Sequence, residues 1–396
     1  MRPLISREKI AGLADCIGRA LSSIALTAAC LFGVMVLVLL GTLEEVRTGI
    51  YYAQNIYFRS FLVYWQLKDF PYRIPYFPGG YAFGALLLLN LFAAYWYHFQ
   101  LSWKKTGIAF IHLGIALLII AEMITGLCSQ ESQMAIKVGQ SMNYSESLRE
   151  MELVVADTTN ANYNHVVTIP EKQLSAGLII SLPTLPLTLK TKTVYPNSRL
   201  SMREEEEEKA APSPSYRGIG GQVQIDPLPP VTRDDRMPTF TAVIELKDKE
   251  FSLGEWVLSN AIPIPQSFRY ENKDYELAIR RKRYYYPFRL KLVDFKKETY
   301  SGTEIPKSFS SQVTLFNDSG ELERQAVISM NQPLRYEGKT FYQASYGDEG
   351  SLSVLQVVEN PGRWLPYLSS SLVTVGLILQ FFVGFYDRRG RSFVRV

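Results

Sequence analysis

The sequence predicts a membrane protein in two parts: a bundle of four transmembrane α-helices, and an all-β, sandwich-like extracytoplasmic domain inserted between helices 3 and 4. Within 396 residues of 47% hydrophobic content, four long apolar runs stand out at 21–40, 81–99, 106–128 and 365–386. Each is close to the roughly 20 residues that cross a bilayer as a helix. Between the third and fourth runs, short alternating stretches are separated by turn residues, a pattern typical of β-sandwiches and barrels.

The first run, 21–40, follows a tail of residues 1–20 and leads into Gly41-Thr42-Leu43 without a small-x-small cleavage site. We therefore expect it to remain as an anchor, because a signal peptide would carry such a site. Residues 41–80 are rich in aromatic side chains, which favours a position in the headgroup region. The second run, 81–99, begins after the chain-breaking Pro78-Gly79-Gly80.

Basic residues flank the four runs on one side of the membrane if all four cross it. They are Arg2, Arg7, Lys9, Arg19, Lys104, Lys105, Arg388, Arg389, Arg391 and Arg395. Because short cytoplasmic segments carry an excess of Lys and Arg, both termini, 1–20 and 387–396, are predicted to be cytoplasmic. The segments 41–80 and 129–364 then lie outside.

The third run, 106–128, holds an imidazole at membrane depth, His112. Ionisable side chains there usually face a bundle interior or a cavity and mark a functional site. A stripe of small residues occupies another face: Gly107, Gly114, Ala121 and Cys128. Ala109 and Ala116 flank the imidazole and leave room for a flat ligand. Two interpretations stay open, a ligand-binding histidine or a hydrogen bond to a neighbouring helix.

Four other residues are secondary candidates. Glu122 is near the other end of the third run and is interpreted first as an interfacial carboxylate, then as a ligand or proton group. His98 ends the second run, where the headgroup region hydrates an imidazole at little cost. Cys128 is either a small packing residue or a reactive thiol on the external side. His165 falls in a strand-like stretch and is interpreted as a surface residue.

The segment 129–364 carries five clusters of turn residues that predict β-hairpins. They are 247–249, 271–273, 317–320, 337–339 and 347–350. One stretch, 197–237, interrupts the pattern with a run of five glutamates and two proline-rich segments. Its composition favours a disordered insert, and its glutamates are interpreted as solvated, not as a cation site.

Several function classes are excluded by the sequence. The formal net charge is only +4 and no basic stripe is interleaved with aromatics, so nucleic-acid binding is not expected. The sequence contains no Walker loop, no dinucleotide fingerprint, no Cys-x-x-Cys pair, no His-Glu-x-x-His and no Gly-x-Ser-x-Gly. We therefore expect no self-contained catalyst.

A set of landmarks occurs in order along nearly the whole chain. They are Gly41-Thr42-Leu43, Pro78-Gly79-Gly80, Asn90-Leu91, Ile111-His112-Leu113-Gly114, Tyr286-Pro287-Phe288, residues 300–307, residues 330–338, Thr340-Phe341-Tyr342-Gln343 and residues 357–362. In this order they resemble the ResB family of cytochrome c biogenesis proteins. The insert 197–237 departs from that pattern as an elaboration.

The resemblance implies an accessory subunit of a haem-attachment complex in the bacterial inner membrane, with the large domain in the periplasm. It implies a multi-spanning haem-handling partner of the ResC or CcsA type, apocytochrome c as client, and a thiol-disulfide reductant as a further partner. His112 becomes the candidate axial ligand for the iron of a transported b-type haem. The alternative is a membrane-anchored scaffold whose β-domain binds apocytochrome or a reductant without contacting haem.

Overall fold

The structure is a computed structural model. It describes residues 15–65, 73–98, 100, 102–160, 163–181, 187–203, 216–231, 237–248, 251–303, 306–347 and 351–392. Within these residues the chain forms two compact units. One is a helical unit drawn from residues 1–130 and 360–396, and the other is a β-domain drawn from residues 131–231 and 236–359.

The long helices of the helical unit are α1 (Ile24–Thr48), α2 (Gly80–His98), α3 (Thr106–Cys128) and α4 (Leu365–Ser392). In the described part of the chain, four helices are long and apolar enough to cross a membrane, as predicted. The bounds of α3 coincide with the predicted run 106–128. Those of α2 differ by one residue at each end from the predicted 81–99.

Helix α1 differs most from its predicted run, 21–40. It begins after a break at Ser22 and Ser23, where the Ser23 hydroxyl accepts a hydrogen bond from the first turn. It continues to Thr48 and ends at Gly49, whose φ of 90° suits glycine. The predicted end was wrong because charged residues end an apolar run without ending a helix, and Leu, Glu and Arg all favour helix.

The rest of the predicted aromatic loop, 41–80, also has defined secondary structure. Residues 50–58 form a short helical stretch. Strands β1 (Leu62–Trp65) and β2 (Ile74–Pro78) pair in antiparallel fashion. Tyr57 is 8% exposed and belongs to the hydrophobic core of this unit. The aromatic density predicted from sequence therefore serves partly to fill a core.

The small residues on α3 form the contact surface for α4. Gly107, Gly114 and Ala121 are buried, and the Ser369 hydroxyl donates a 2.6 Å hydrogen bond to the carbonyl oxygen of Gly114. A Cβ placed on Gly376 would lie 2.7 Å from the carbonyl oxygen of Gly107. The two backbones therefore touch, which is the close approach that small residues permit between membrane helices.

After α3 and before α4 in the chain, the structure has these strands: β3 (Gln130–Lys137), β4 (Ser141–Asp157), β5 (His165–Pro170), β6 (Ile179–Ser181), β7 (Thr188–Tyr195), β8 (Ser198–Met202), β9 (Val223–Pro227), β10 (Thr241–Asp248), β11 (Phe251–Ser259), β12 (Gln266–Tyr270), β13 (Lys273–Thr299), β14 (Pro306–Phe316), β15 (Leu322–Ser329), β16 (Leu334–Tyr336), β17 (Lys339–Gly347) and β18 (Leu352–Glu359). Two of them, β4 and β13, are much longer than the average strand and pair with each other.

One end of the β4–β13 pair forms the predicted sandwich. With β5 and β12 it packs against a second sheet of order β11-β10-β7-β6. The core between the sheets includes Leu153, Leu189, Ile244 and Leu277, each 0% exposed. Alternate residues of β4 and β13 therefore point into this core, as the strand period of two requires.

The other end of the same pair belongs to a second, barrel-like lobe. Its sheet runs β15-β14-β13-β4-β3-β18-β17-β16. Strands along this whole order contribute to one core, which includes Ile136, Phe288, Val313, Phe341 and Leu355. A sheet whose strands share a single core must curl around it. The β-domain is therefore a sandwich and a barrel-like lobe that share two strands.

The turn clusters predicted from sequence occur at strand ends. Glu271 and Asn272, between β12 and β13, have φ of 47° and 59°. Glu337 and Gly338, between β16 and β17, have φ of 44° and 78°. Two consecutive residues of positive φ are typical of the two-residue hairpin turn that suits twisted strands.

The prediction that 197–237 is a disordered insert is wrong for part of this segment. Strands β8 and β9 pair in antiparallel fashion. Val223 is buried against Val243 and Val257 on the outer face of the second sheet. The flanking polar composition concealed two short strands that bury apolar side chains as a third layer. The glutamate run and the Pro-Ser repeat lie outside the described residues.

A charged cluster on the β4–β13 pair makes the stability of the β-domain depend on pH. Glu150 forms ion pairs with Lys172 and with Lys282, the latter at 2.9 Å. The hydrogen bond from Lys172 lowers the pKa of Glu150 below its usual range, in spite of the opposing effect of burial.

We expect Gly376→Val to separate α3 from α4, because its side chain would meet the backbone of Gly107. Overpacking of this kind costs about 1–3 kcal/mol or more. The measurement is the thermal midpoint of the full chain in detergent, with Gly384→Val as the control on the same helix, since a Cβ there meets nothing within 4 Å. Equal midpoints for the two variants would contradict this packing.

We expect Glu150→Gln to lower the stability of the β-domain at neutral pH and to change little at acid pH. The ionised carboxylate stabilises the fold above its unfolded pKa, and this contribution is lost as the pH falls through the lower folded pKa. Thermal unfolding of the full chain from neutral to acid pH measures this contribution. The control is Glu337→Gln, because Glu337 is exposed. A destabilisation that is independent of pH would contradict the assignment.

Candidate functional site

A cleft of about 600 Å³ opens beside His112 in the helical unit. Its lining residues are Ser22, Ser23, Ile24, Ala25, Leu91, Ala94, Tyr95, His98 and His112. This volume lies in the range of small-molecule and cofactor sites. The lining is mostly apolar, with two imidazoles, a phenol and two hydroxyls as its polar groups.

Helical spacing explains why these residues meet. Leu91, Ala94, Tyr95 and His98 are three and four positions apart on α2, and such residues share one helix face. His112 lies in the second turn of α3. The cleft is therefore at the end of the helical unit where α1 begins and α2 ends.

His112 is half-buried and is held by Tyr95. The Tyr95 hydroxyl lies 3.1 Å from Nδ1 of His112, and the two rings meet edge to face with centroids 5.8 Å apart. Among the described residues this is the one hydrogen bond that His112 makes with a protein group. Nε2 is therefore the ring nitrogen that is left for a ligand.

His98 lies in the same cleft, although the sequence analysis ranked it well below His112. Its Nε2 is 2.9 Å from the Ser22 hydroxyl, and that hydroxyl donates to the carbonyl oxygen of Arg19 at 2.9 Å. Because a hydroxyl has one proton, Ser22 accepts from Nε2–H of His98. The sequence signal for this placement is the spacing of Leu91, Tyr95 and His98. These residues are four and three positions apart, so they share one face of α2.

Asn90 fixes the helix break that forms the opposite wall. It is 5% exposed, and its amide nitrogen donates to the carbonyl oxygens of Leu21 and Ser23 at 2.6 and 3.0 Å. Its side-chain oxygen accepts from Thr27 at 2.7 Å. A helix break leaves carbonyls without intrahelical partners, and an apolar environment offers them no water. Asn90 supplies the donor for the Leu21 carbonyl and adds a second bond to the Ser23 carbonyl, which also accepts from the backbone N–H of Thr27 at 3.3 Å. It therefore helps to hold the shape of the Ser22–Ser23 wall.

The structure places the other candidates away from this cleft. Glu122 is 66% exposed and lies 3.6 Å from the guanidinium of Arg59, towards the far end of α3. Cys128 is exposed, so the interpretation of it as a packing member of the small-residue stripe is wrong. His165 is exposed in the β-domain, beside the ring of Tyr163.

The geometry limits what the cleft can hold. Its walls from α1 and α2 are largely aliphatic, and Ala25 and Ala94 leave space between larger side chains. The imidazole of His112 lines that space, and its Nδ1 is hydrogen-bonded to Tyr95. The cleft therefore suits a flat, apolar ligand that carries a metal able to accept imidazole nitrogen.

Comparison with known proteins agrees with the resemblance predicted from sequence. Residues 267–354 match the ResB-like family, which confirms the predicted resemblance over this segment. The matched segment runs through the β-domain from β12 into β18 and does not include the helices.

The chain is also similar to Protein NrfI of Wolinella succinogenes, with 33% identity over 92 residues. This alignment covers 23% of the present chain and 10% of the relative. The chain therefore spans only a small part of the length of that protein.

We expect Asn90→Leu to destabilise the helical unit, because it removes the side-chain donor to the carbonyl of Leu21. A buried polar group without a partner costs about 1–3 kcal/mol. The thermal midpoint of the full chain in detergent measures the loss. The control is Thr374→Val, which removes an exposed hydroxyl bonded within its own helix. Equal midpoints for the two variants would show that Asn90 does not maintain the break.

Proposed function

We propose that this chain, ResB-like over residues 267–354, is an accessory membrane subunit of a cytochrome c maturation system. In this proposal it helps to carry haem across the bacterial inner membrane. It then presents the haem, together with apocytochrome c, to a ResC- or CcsA-type partner that completes the attachment. The observation that carries the proposal is the imidazole of His112 facing a cleft of about 600 Å³.

The residues of the cleft suit haem as cargo. Haem is flat and largely apolar, and the lining is mostly apolar with alanines at two positions. Neutral imidazole is a usual haem iron ligand, and a ligating histidine normally has its other ring nitrogen hydrogen-bonded. His112 meets both conditions through its bond with Tyr95. A polar cargo would instead leave its own groups unpaired against these walls.

The charges near the cleft support an inward-facing location. Arg19 precedes α1, and Lys104 and Lys105 precede α3, all at the end of the helices that holds His112 and His98. Positive residues favour the cytoplasmic side. In the proposal, both termini are cytoplasmic, the β-domain is periplasmic and the cleft receives haem near the cytoplasmic surface.

The proposal assigns binding and orientation to this chain and bond formation to its partner. His112 would hold the cargo, Tyr95 would orient the imidazole and the apolar walls would exclude water. The sequence shows none of the motifs that pair a catalytic nucleophile with a general base. Attachment to the thiols of apocytochrome c is therefore expected to require the multi-spanning partner, with a thiol reductant keeping those thiols free.

A second candidate function has one observation in its favour. The family match lies wholly within the β-domain, and in this alternative that domain is the working part of a scaffold. In that case the chain would bind apocytochrome c or a thiol reductant and would not contact haem.

We expect His112→Gly to abolish or strongly weaken the Soret band of the full chain, purified in detergent alone and after coexpression with a ResC-type partner. The reason is the loss of the nitrogen donor for iron. Exogenous imidazole should restore part of the band by entering the space that the side chain leaves.

The matched control is Leu113→Ala, the next residue on α3, which is 58% exposed. It should retain the haem content of the wild type. An unchanged Soret band in His112→Gly would contradict the haem proposal and favour the scaffold. Loss of maturation from changes in the β-domain with normal haem content would do the same.

A further inference from the structure

We propose that Tyr95 is the positioning residue for His112. In the haem-loaded protein its phenol oxygen accepts the hydrogen bond of Nδ1–H and so keeps the lone pair of Nε2 directed into the cleft. The inference rests on the proposed function, since it specifies how this chain prepares its nitrogen donor. The experiment that tests it distinguishes a failure of this inference from a failure of the proposed function.

The proposal follows from the tautomers of a neutral imidazole. One ring nitrogen carries a proton and the other carries the lone pair, and the hydrogen bond at one nitrogen decides the state of the other. The Tyr95 hydroxyl is 3.1 Å from Nδ1 of His112. If the phenol donates, Nε2 keeps its proton and cannot bind a metal. If the phenol accepts, Nε2 is free to do so.

A hydroxyl suits this role because it can act in both directions. A carbonyl could only accept the proton of Nδ1–H, and an ammonium could only donate one. A phenol allows either tautomer in the protein without cargo, and it stabilises the Nδ1–H form once Nε2 is engaged. Tyr95 can therefore hold the imidazole before, during and after transfer without any other group moving.

The apolar surroundings strengthen the hydrogen bond between Tyr95 and His112. Tyr95, His98 and Ala94 are all on the face of α2 that lines the cleft. The cleft walls are largely apolar, and a hydrogen bond is stronger where water does not compete. The edge-to-face contact of the Tyr95 and His112 rings, with planes 78° apart, also fixes the plane of the imidazole. Tyr95 thus sets both the tautomer and the direction of the donor.

The interaction has an electronic consequence that a purely structural role would lack. An acceptor on Nδ1–H makes the imidazole a better electron donor. A more electron-rich axial ligand favours ferric over ferrous iron, so the bond should lower the midpoint potential of the bound haem. Removing the phenol oxygen while keeping the ring should raise that potential.

The test compares Tyr95→Phe with Tyr97→Phe in the full chain, using haem itself as the probe. Tyr97 is two residues away on α2, is not among the cleft residues, and packs on Gly18. We expect Tyr95→Phe to weaken haem binding by about 10–100-fold, the usual effect of losing an outer partner of a metal ligand. Its midpoint potential should also rise. Tyr97→Phe should match the wild type in both.

Soret titration gives the affinity, and a spectroelectrochemical titration gives the potential. The thermal midpoint of each variant shows whether its fold is intact. A folded Tyr95→Phe protein with the affinity and potential of the wild type would overturn the positioning role while leaving His112 as the ligand. Normal haem binding by His112→Gly, or no haem binding by the wild type, would overturn the proposed function and this inference with it.

Discussion

The helical unit depends on one constraint: a polar group inside an apolar helix bundle must find its partner within the protein. Asn90 donates to the carbonyls of Leu21 and Ser23 at the break before α1, and Tyr95 is the partner of a nitrogen of His112. Both side chains come from α2, so this helix organises the polar interior of the unit. Since water is absent from a bilayer core, each of these bonds fixes geometry more firmly than it would at a wet surface.

The two faces of α3 have different roles: one packs against α4 and the other borders the cleft. The face with Gly107 and Gly114 packs against α4, where Gly376 lets the backbones touch. His112 lies about 200° around the helix from that stripe, because it is two residues before Gly114 and each residue turns the helix by about 100°. The tight contact on one side holds α3 in place, while the imidazole on the other side borders open space. Rigid support behind a ligand is what a binding site needs to keep its donor oriented.

The sequence predicted the periodic features well and the junctions poorly. The bounds of α3 and the hairpin turns at Glu271 and Glu337 follow from local patterns, namely apolar length and turn residues. The extension of α1 to Thr48 was missed because polarity marks where a membrane ends and not where a helix ends. His112 was identified from burial cost alone, but its pairing with Tyr95 and its shared cleft with His98 depend on which helices meet. The strands β8 and β9 were hidden by charged and proline-rich neighbours.

In the proposed function, a nitrogen of His112 binds the iron of a haem that is held in this cleft. A structure of the full chain with its ResC-type partner, determined by electron microscopy after loading with haem, tests it most directly. We expect a porphyrin between the Ser22–Ser23 wall and α3, with its iron on Nε2 of His112. A cleft filled by lipid or by a partner helix, with haem bound elsewhere in the complex, would contradict it.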